Sequence, residues 1–532
     1  MIRAVLLSAL LSAAALAAPA PPARSDLNPA PARSEGRGPF PKLVIRGVTL
    51  IDGTGSPPYG PVDIVVENNR ISEILVAGTP GLPLKPGRTP QGAEELDATG
   101  MYVLPGFVDM HAHGGDPGKA PDLEYVYKLW LAHGVTTVRG VSLAGQAVAS
   151  SEKNRSARNE IAAPRIWNYQ TLGSGWTGRV TSPATAREWV RWAAKNNIDG
   201  IKFFNSRDEP PELIGAAIDE AKKLGLGTVA HLSQTGVAQL DGLEAGRLGL
   251  GTITHFYGHF ESLLKGRTIQ AFPTDYNYLN EYDRFGQVAA IAEQSADPGS
   301  PEWTAYLEEQ KKNGVTFDPT FNIYSANRDL MRARNADWHK PYTLPALWNF
   351  LQASRENHGS YFFDWTTADE VRWRNFYQKF LRLVGDYHRM GGRVTAGSDS
   401  GFIYQLYGFG YILELEHLQE AGLTPLEVVR AATFNGARTL TEPKTQAPEF
   451  GTVRRGMLAD LVIVPENPLA NLKVLYGTGR LRLNPQTDKQ ERVGGVRWTV
   501  KDGIIYDAPA LLTRVREMVA EAERRDGAKV EQ

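Results

Sequence analysis

The feature that most constrains the fold of this 532-residue chain is an alternation of short apolar segments with helical patterns. Eight segments are rich in apolar and β-branched residues, as expected for buried strands. Amphipathic helical patterns separate many of them, including residues 183–196, 210–224 and 235–248. Eight such units predict an α/β fold, a (β/α)8 barrel, whose active site lies at the carboxyl ends of the strands. The predicted strands are Val103–Gly114, Val135–Val141, Pro164–Tyr169, Gly200–Phe204, Gly227–His231, Gly251–Phe256, Gly314–Thr320 and Gly392–Asp399.

The two regions that flank this pattern look all-β. Residues 40–104 contain short β-branched runs separated by turn residues, which indicate a small antiparallel sheet, and the same texture returns near the C-terminus. We therefore expect residues 40–104 and 441–507 to build one β-sandwich beside a barrel formed by residues 105–440. The last residues, 508–532, predict a charged amphipathic helix.

The N-terminus predicts export. Residues 1–18 read as a secretory signal peptide, because Arg3 precedes an apolar run that ends in small residues and is too short to span a membrane. Residues 19–39 form a Pro/Ala-rich linker. No other segment predicts a membrane span, so we expect a periplasmic or extracellular protein.

Composition excludes several kinds of chemistry. Lysine and arginine (58) nearly balance aspartate and glutamate (59), so bulk charge gives no reason to expect nucleic-acid or anionic-membrane binding. Cysteine is absent, which excludes disulfides, a thiolate nucleophile and thiolate metal ligands. Any metal ion must therefore be held by histidine, aspartate, glutamate or a modified lysine.

Residue types that bind metals fall at the ends of the predicted strands. His111 and His113 lie two residues apart, so their imidazoles project from the same face of the first strand at a separation that suits one metal ion. His231 and His255 close two successive strands, and Asp399 closes the eighth. A carboxylate in this position can bind a metal and also accept a proton from a metal-bound water.

Four further residues are candidates for the site. Lys202 lies in the apolar strand Ile-Lys-Phe-Phe, where an unpaired ammonium is costly. Carboxylation by CO2 would turn it into an anionic ligand able to bridge two cations; the alternative is a plain lysine that reaches the strand end. Arg139, Tyr257 and His259 are candidate substrate contacts, with a structural cation or local packing as the alternative interpretation.

Together these motifs resemble the amidohydrolase superfamily, in its imidazolonepropionase-like and prolidase-like branch. The resemblance spans about residues 42–507 and departs from the prolidase-like pattern after the second strand, where Gly140, rather than Asp, follows Arg139. It rests on Leu104-Pro-Gly-Phe-Val-Asp-Met-His-Ala-His113, Asp199-Gly-Ile-Lys202, His231, Thr254-His255, Ala396-Gly-Ser-Asp399 and residues 424–438 and 451–462.

The resemblance implies a two-metal site, with zinc as the usual occupant. A hydroxide that bridges the metals would attack the amide carbon of a small-molecule substrate, and Asp399 would carry the proton to the leaving group. The implied ligands are His111, His113 and Asp399 for one ion, His231 and His255 for the other, and carboxylated Lys202 as a bridge between them.

The substrate is left open by the sequence. An amide is the first choice, either in a dipeptide such as Xaa-Pro or in an N-acyl amino acid, whereas a lactone, cyclic amide or phosphotriester would suit the same chemistry. Two aromatic-rich insertions, residues 257–312 and 321–391, are expected to shape the pocket. Barrel enzymes of this kind are often homo-oligomers, although no stretch of sequence specifies an interface.

Two rival classes of protein are kept. A serine hydrolase is the first, because Gly140-Val-Ser-Leu-Ala144 follows a strand and loosely resembles a nucleophile elbow around Ser142. The second is a secreted binding protein that has kept the barrel without catalysis.

Overall fold

The structure is a computed structural model that describes residues 26–79, 82, 90–206 and 209–530, with side chains described as far as residue 526. The predicted signal peptide and the first part of the predicted linker lie outside the described residues. Across the described ranges, none of the helices is both long enough and apolar enough to cross a membrane.

Strands and helices alternate along most of the described chain. The strands are β1 (Leu43–Leu50), β2 (Tyr59–Glu67), β3 (Arg70–Val76), β4 (Glu94–Asp97), β5 (Tyr102–Pro105), β6 (Phe107–Ala112), β7 (Val135–Val141), β8 (Arg165–Thr171), β9 (Gly200–Phe203), β10 (Gly227–His231), β11 (Thr252–Thr254), β12 (Thr316–Asp318), β13 (Arg393–Val394), β14 (Leu461–Val464), β15 (Arg480–Asn484), β16 (Lys489–Val493), β17 (Trp498–Lys501) and β18 (Ile504–Asp507). The helices are α1 (Leu123–Ala132), α2 (Gln146–Ala157), α3 (Pro183–Lys195), α4 (Pro211–Leu224), α5 (Gly242–Arg247), α6 (Glu281–Val288), α7 (Ile291–Gln294), α8 (Pro301–Lys312), α9 (Ser325–Arg328), α10 (Leu330–Arg334), α11 (His339–Tyr342), α12 (Pro345–Leu351), α13 (Thr367–Arg389), α14 (Phe409–Glu420), α15 (Pro425–Arg430), α16 (Gly436–Thr441) and α17 (Ala508–Val530).

The central sheet is a barrel of parallel strands in sequential order, from β6 to β13. It closes where the chain beyond β13 meets β6. There the Met110 N–H donates to the Ala396 carbonyl (2.9 Å), and the Asp399 N–H donates to the His111 carbonyl (2.8 Å). The predicted (β/α)8 barrel is therefore confirmed, and its seam lies beside two of the predicted metal ligands.

Helix α1 illustrates how the outer layer is buried. Nine of its ten residues are buried, because one face packs on the barrel and α17 covers another. A helix that is apolar on most of its surface needs such cover on more than one side. In α17 the cover comes from Leu511, Leu512, Val515 and Val519, all of which are buried.

Both ends of the chain build the second β-structure, as predicted. Its sheet runs in the order β18-β17-β14-β5-β1-β2-β3, and β4 also pairs with β1. One apolar core joins Ile45 and Val62 from the N-terminal part with Leu461 and Ile463 from the C-terminal part. The sandwich from both chain ends is therefore confirmed as part of the fold.

Strand β1 changes partner at Gly47. Its first half pairs with β4 and its second half with β5, in both cases in parallel, whereas an antiparallel sheet was predicted. Gly47 has a φ of +68°, and a Cβ there would lie 2.7 Å from Thr99 Oγ1. Glycine is thus required at this bend, which lets one strand serve two neighbours.

Residues 26–39, which the sequence assigns to a linker, lie along the barrel. Leu27 and Ala30 are buried against it, and Glu35 pairs with the buried ammonium of Lys128. Further along, Arg37 forms a β-bridge with Ile505 of β18. This segment therefore connects the outer surface of the barrel to the edge of the sandwich.

Candidate metal centre

The six predicted metal ligands converge at the carboxyl end of the barrel. Four imidazoles, one carboxylate and one buried amine reach this end from five different strands or the loops that follow them. The residues are His111 on β6, His113 just beyond it, Lys202 on β9, His231 at the end of β10, His255 after β11 and Asp399 after β13.

Asp399 lies at the middle of this group. Its Oδ1 is 3.2 Å from His113 Nε2 and 3.7 Å from His111 Nε2, and its Oδ2 is 3.7 Å from His255 Nε2. The potential ligand atoms of His111, His113 and Asp399 all lie within 4.8 Å of one another. These three side chains can therefore surround one cation.

A second pair of imidazoles adjoins the first group. The rings of His231 and His255 have centroids 4.6 Å apart, and the His255 ring lies 5.0 Å from that of His111. The Lys202 Nζ is 3.5 Å from His111 Nε2. The structure thus brings together all six side chains that the sequence predicts as ligands.

Burial keeps the imidazoles of His111, His231 and His255 neutral. It lowers the pKa of His111, His231 and His255 well below the usual histidine value, and neighbouring positive charges such as Lys202 lower it further. Burial also lowers the pKa of Lys202 to about 7. A neutral imidazole offers a lone pair to a metal, so these three histidines are in the protonation state that metal binding needs.

Left-handed backbone aims two of these side chains. His255 has a φ of +65° and Asp399 a φ of +46°, and Thr320, beside His255, has a φ of +48°. Each such conformation costs about 1–3 kcal/mol for a residue other than glycine and concentrates at functional sites. The strain turns the chain sharply at the strand ends, where the ligands point inward.

Thr320 fixes the tautomer of His255. The Thr320 hydroxyl lies 2.6 Å from His255 Nδ1 and donates its own proton to the Pro319 carbonyl (2.7 Å). Because that proton is engaged, the hydroxyl accepts from the Nδ1–H of His255. The Nε2 lone pair of His255 is therefore left for a metal, on the side that faces Asp399.

Asp109 ties the first strand to the loop that carries Asp399. Its carboxylate accepts from the backbone N–H groups of His111 (3.0 Å) and Ser398 (2.9 Å) and from the Ser398 hydroxyl (2.6 Å). Burial raises the pKa of Asp109 to about 7. Asp109 was not predicted as a site residue. Its position inside an apolar strand could have indicated a role, because a buried carboxylate needs partners.

Arg139 lies in the barrel interior rather than facing the substrate. The side chain is fully buried, and its guanidinium donates to the Met110 carbonyl (2.6 Å), Thr252 Oγ1 (3.1 Å) and Asp318 Oδ2 (3.0 Å). Asp318, at the end of β12, is also fully buried and lies 3.8 Å from His111 Nδ1. These contacts correct the predicted substrate role and match the alternative of a structural cation. Asp318 itself was not predicted.

The other two predicted substrate contacts differ in their position. Tyr257 stacks on His231, with ring centroids 5.2 Å apart, so it lies beside the metal ligands. His259 is buried away from them, with Nδ1 2.5 Å from the Tyr306 hydroxyl and its ring 4.3 Å from that of Phe317. Burial lowers the pKa of His259 to about 3. The placement of His259 corresponds to the packing alternative.

Ser142 lacks the surroundings of a nucleophile. Its hydroxyl hydrogen-bonds that of Thr171 (2.8 Å) rather than an imidazole. A serine nucleophile requires an adjacent base, so the geometry gives the serine hydrolase alternative no support.

A (β/α)8 barrel with clustered histidines and one aspartate at the carboxyl ends of its strands has the architecture of a metal-dependent hydrolase. Comparison with known families agrees with this class. The model of the amidohydrolase family matches residues 102–505, so the chain belongs to the amidohydrolase family. The predicted family, and with it the hydrolase class, is confirmed.

Individual relatives share parts of this chain. A dihydroorotase from Trichlorobacter lovleyi is 43% identical over 203 residues, which cover 36% of this chain and 43% of that protein. This chain thus spans less than half the length of that curated relative.

Solved structures share the fold over most of the chain. A Xaa-Pro dipeptidase with methionine bound in its active site is 19% identical and has a TM-score of 0.56, covering 88% of this chain and 100% of that one. Bottromycin amidohydrolase is also 19% identical and has a TM-score of 0.59, covering 91% of both chains. At these identities the likeness shows the fold alone.

Proposed function

We propose that this protein is an exported, binuclear metal-dependent amidohydrolase. Its substrate is a small molecule with a C–N amide bond, either a dipeptide of the Xaa-Pro type or an N-acyl amino acid. The observation that carries the proposal is the convergence of four imidazoles, the Asp399 carboxylate and the buried amine of Lys202 at one end of the barrel. Likeness in fold to a Xaa-Pro dipeptidase supports the substrate class, and the N-terminal sequence supports export.

The donor set fits two divalent cations. Neutral imidazoles and a carboxylate suit zinc, which usually takes nitrogen and oxygen ligands when thiolates are absent. His111, His113 and Asp399 would hold one ion, while His231 and His255 would hold the other. When bound, such a pair lowers the pKa of a water and polarises the scissile carbonyl.

Lys202 is suited to become the bridging ligand. Burial lowers its pKa to about 7, so much of the amine is neutral near neutral pH, and the neutral form is the one that reacts with CO2. The carbamate would put a negative charge beside the His111 imidazole, where the unmodified amine is partly protonated. This change favours cation binding at the site.

Asp399 is the proton carrier in the proposed reaction. Its two carboxylate oxygens face different imidazoles, His113 on one side and His255 on the other. From that position the carboxylate accepts the proton of the attacking water and returns it to the leaving nitrogen, which departs as a neutral amine. Asp109 fixes the loop of Asp399 through Ser398, and Thr320 orients His255.

A screen of zinc-loaded protein against dipeptides, N-acyl amino acids and lactones tests the proposal. We expect amide hydrolysis that chelation abolishes and added zinc restores, with a loss of about 100- to 10,000-fold in kcat for Asp399→Asn. Ser142→Ala is the matched control and should retain activity. Absence of bound metal in the purified protein, or activity that resists chelation, would contradict the proposal.

Lys202→Ala tests the bridging ligand separately. We expect this variant to lose metal stoichiometry together with activity, and mass spectrometry of the native protein to show the added mass of CO2. Full activity with both metals retained would disprove the carbamate. Sequencing the N-terminus of the secreted protein would show whether the leader is removed.

Cyclic amides form the second candidate substrate class. The observation in their favour is the 43% identity to a dihydroorotase over 203 residues. Including dihydroorotate and related cyclic amides in the screen discriminates the two classes, because a ring-opening enzyme would prefer them to linear peptides.

A further inference from the structure

Arg284 brings a positive charge from the first insertion to the edge of the metal centre. It lies on α6, and its carbonyl accepts from Gln234 Nε2 (3.5 Å), which follows His231 by three residues. Arg284 therefore adjoins the segment that follows a predicted metal ligand, and it reaches that segment from outside the barrel strands.

Aromatic rings hold this guanidinium in place. It lies 4.8 Å from the centre of the Tyr278 ring and 5.2 Å from that of Phe285. Phe285 in turn stacks on Tyr361 of the second insertion, with centroids 4.1 Å apart. Only 18% of the Arg284 side chain is exposed, so the charge is both fixed and largely shielded from water.

The protein does not use the full hydrogen-bonding capacity of Arg284. Within the described ranges Arg284 forms one ion pair, a long one of 3.4 Å from Nη1 to Glu281 Oε1. Glu281 is already engaged, since it accepts from His358 Nδ1 (2.9 Å) and from the Gly359 N–H (3.1 Å). The Nε–H of Arg284 is buried and has no hydrogen-bond partner among the residues that the structure describes. A buried donor on a charged group is costly unless something binds it.

Two further polar atoms near Arg284 are buried and find no hydrogen-bond partner in the described part of the chain. They are the Tyr276 hydroxyl and Gln234 Oε1. Burial raises the pKa of Tyr276 to about 12, although the nearby charge of Arg284 opposes this shift. The guanidinium and the phenol are donors, and the amide oxygen is an acceptor. Donors of this kind suit an anionic group, and a neighbouring acceptor suits an N–H of the same ligand.

We propose that Arg284 is a specificity-determining residue that binds a carboxylate of the substrate while the amide lies over the metal centre. This inference rests on the proposed function and assigns the residue that recognises the free carboxylate of its dipeptide or N-acyl amino acid substrates. A carboxylate matches the planar guanidinium edge and replaces the missing partner of Nε–H. Either the terminal carboxylate of an amino acid or an acidic side chain could supply this group.

Replacement of the charge tests the proposal on the zinc-loaded enzyme. For Arg284→Met we expect KM for a free-carboxylate substrate to rise about 10- to 100-fold, with kcat changed far less, because a charge-assisted hydrogen bond is lost. The C-terminal amide of the same substrate should be cleaved equally by both proteins. Arg284→Lys should recover part of the loss, since it restores charge without the planar fork.

Arg355→Met is the matched control. Arg355 also packs on an aromatic ring, 4.1 Å from the centre of Phe363, but it belongs to the second insertion and its side chain is 65% exposed. Its removal should change neither KM nor kcat. Circular dichroism of both methionine variants checks that each remains folded.

Binding separates failure of this inference from failure of the proposed function. Calorimetry on protein that also carries Asp399→Asn, which slows hydrolysis, compares N-acetyl-L-proline, its C-terminal amide, and N-acetyl-isoglutamine, whose only carboxylate is on the side chain. Tighter binding of either acid than of the neutral amide, lost in Arg284→Met, supports the subsite and identifies the source of the carboxylate. Equal binding of all three ligands, or equal effects of Arg284→Met on acid and amide, overturns it even if hydrolysis is observed.

Discussion

Replacing Thr320 by valine should weaken metal binding without touching a metal ligand. The hydroxyl of Thr320 is the acceptor for His255 Nδ1–H, and valine replaces it by a methyl group of similar size. Both residues are β-branched, so the left-handed backbone at this position, with φ of +48°, is equally strained before and after the change. The substitution therefore removes the two hydrogen bonds of the Thr320 hydroxyl, with His255 Nδ1 and with the Pro319 carbonyl, and little else.

The expected magnitude follows from the burial of His255. Its side chain is only 1% exposed, so the Nδ1–H has no access to water once the 2.6 Å hydrogen bond is lost. A buried donor without a partner costs about 1–3 kcal/mol. Loss of the group that orients a metal-binding histidine typically lowers metal affinity about 10- to 100-fold, or about 1.4–2.7 kcal/mol. The two estimates agree.

Competition with a chromophoric zinc chelator measures this affinity directly. We expect Thr320→Val to bind the more weakly held zinc about 10- to 100-fold less tightly than the wild type. Thr320→Ser keeps the hydroxyl and should remain close to the wild type. Unchanged zinc affinity in Thr320→Val would refute the proposed orientation of His255, and equal losses in both variants would assign the effect to the backbone.

Two further predictions concern buried charges. Arg139→Met leaves the Asp318 carboxylate fully buried without its cation, and should lower the free energy of unfolding by about 3–5 kcal/mol in denaturant titrations. Adding Asp318→Asn should recover part of this loss, and a single-variant loss below about 1 kcal/mol would contradict the argument. Burial raises the pKa of Glu414 well above its usual value, so the folded state holds a proton that the unfolded state releases once the pH exceeds the ordinary carboxyl range. Between the ordinary carboxyl pKa and the raised pKa of Glu414, the free energy of unfolding of the wild type should therefore fall relative to that of Glu414→Gln, by up to about 1.4 kcal/mol per pH unit. Parallel profiles of stability against pH for the two proteins would refute this prediction.

The sequence predicted the barrel and the proximity of its metal-type residues because both depend on local patterns. His111 and His113 share a face through a two-residue spacing, and the other candidates end apolar strands that a parallel barrel must bring to one end. Those regularities do not depend on the details of side-chain packing. The positions of these residues on the strands stay the same whatever conformation the loops adopt.

The partners of these residues could not be predicted in the same way. Arg139 and Asp318 are 179 residues apart, and only the closed barrel shows that they meet in its interior. Thr320 acts through a left-handed backbone that no local pattern indicates, since β-branched residues rarely adopt it. Arg284 lies in an insertion whose aromatic residues were recognised, but whose position over β10 depends on contacts between distant segments.

The connection between the sandwich and the barrel determines how late in synthesis the sheet of the sandwich can form all its strand pairs. Strand β5 enters β6 through the single residue Gly106, where a Cβ would lie 2.1 Å from Thr136 Oγ1, so the strand that carries His111 is directly joined to the sheet. Within that sheet β5 lies between β1 and β14, and β14 follows β5 by more than three hundred residues in the sequence. During synthesis β5 therefore presents an open apolar edge, with Val103 and Leu104, until almost the whole chain has been made. A nascent or prematurely terminated chain that lacks β14 carries its first two metal-type histidines beside a strand of an unfinished sheet, which makes the chain prone to aggregation.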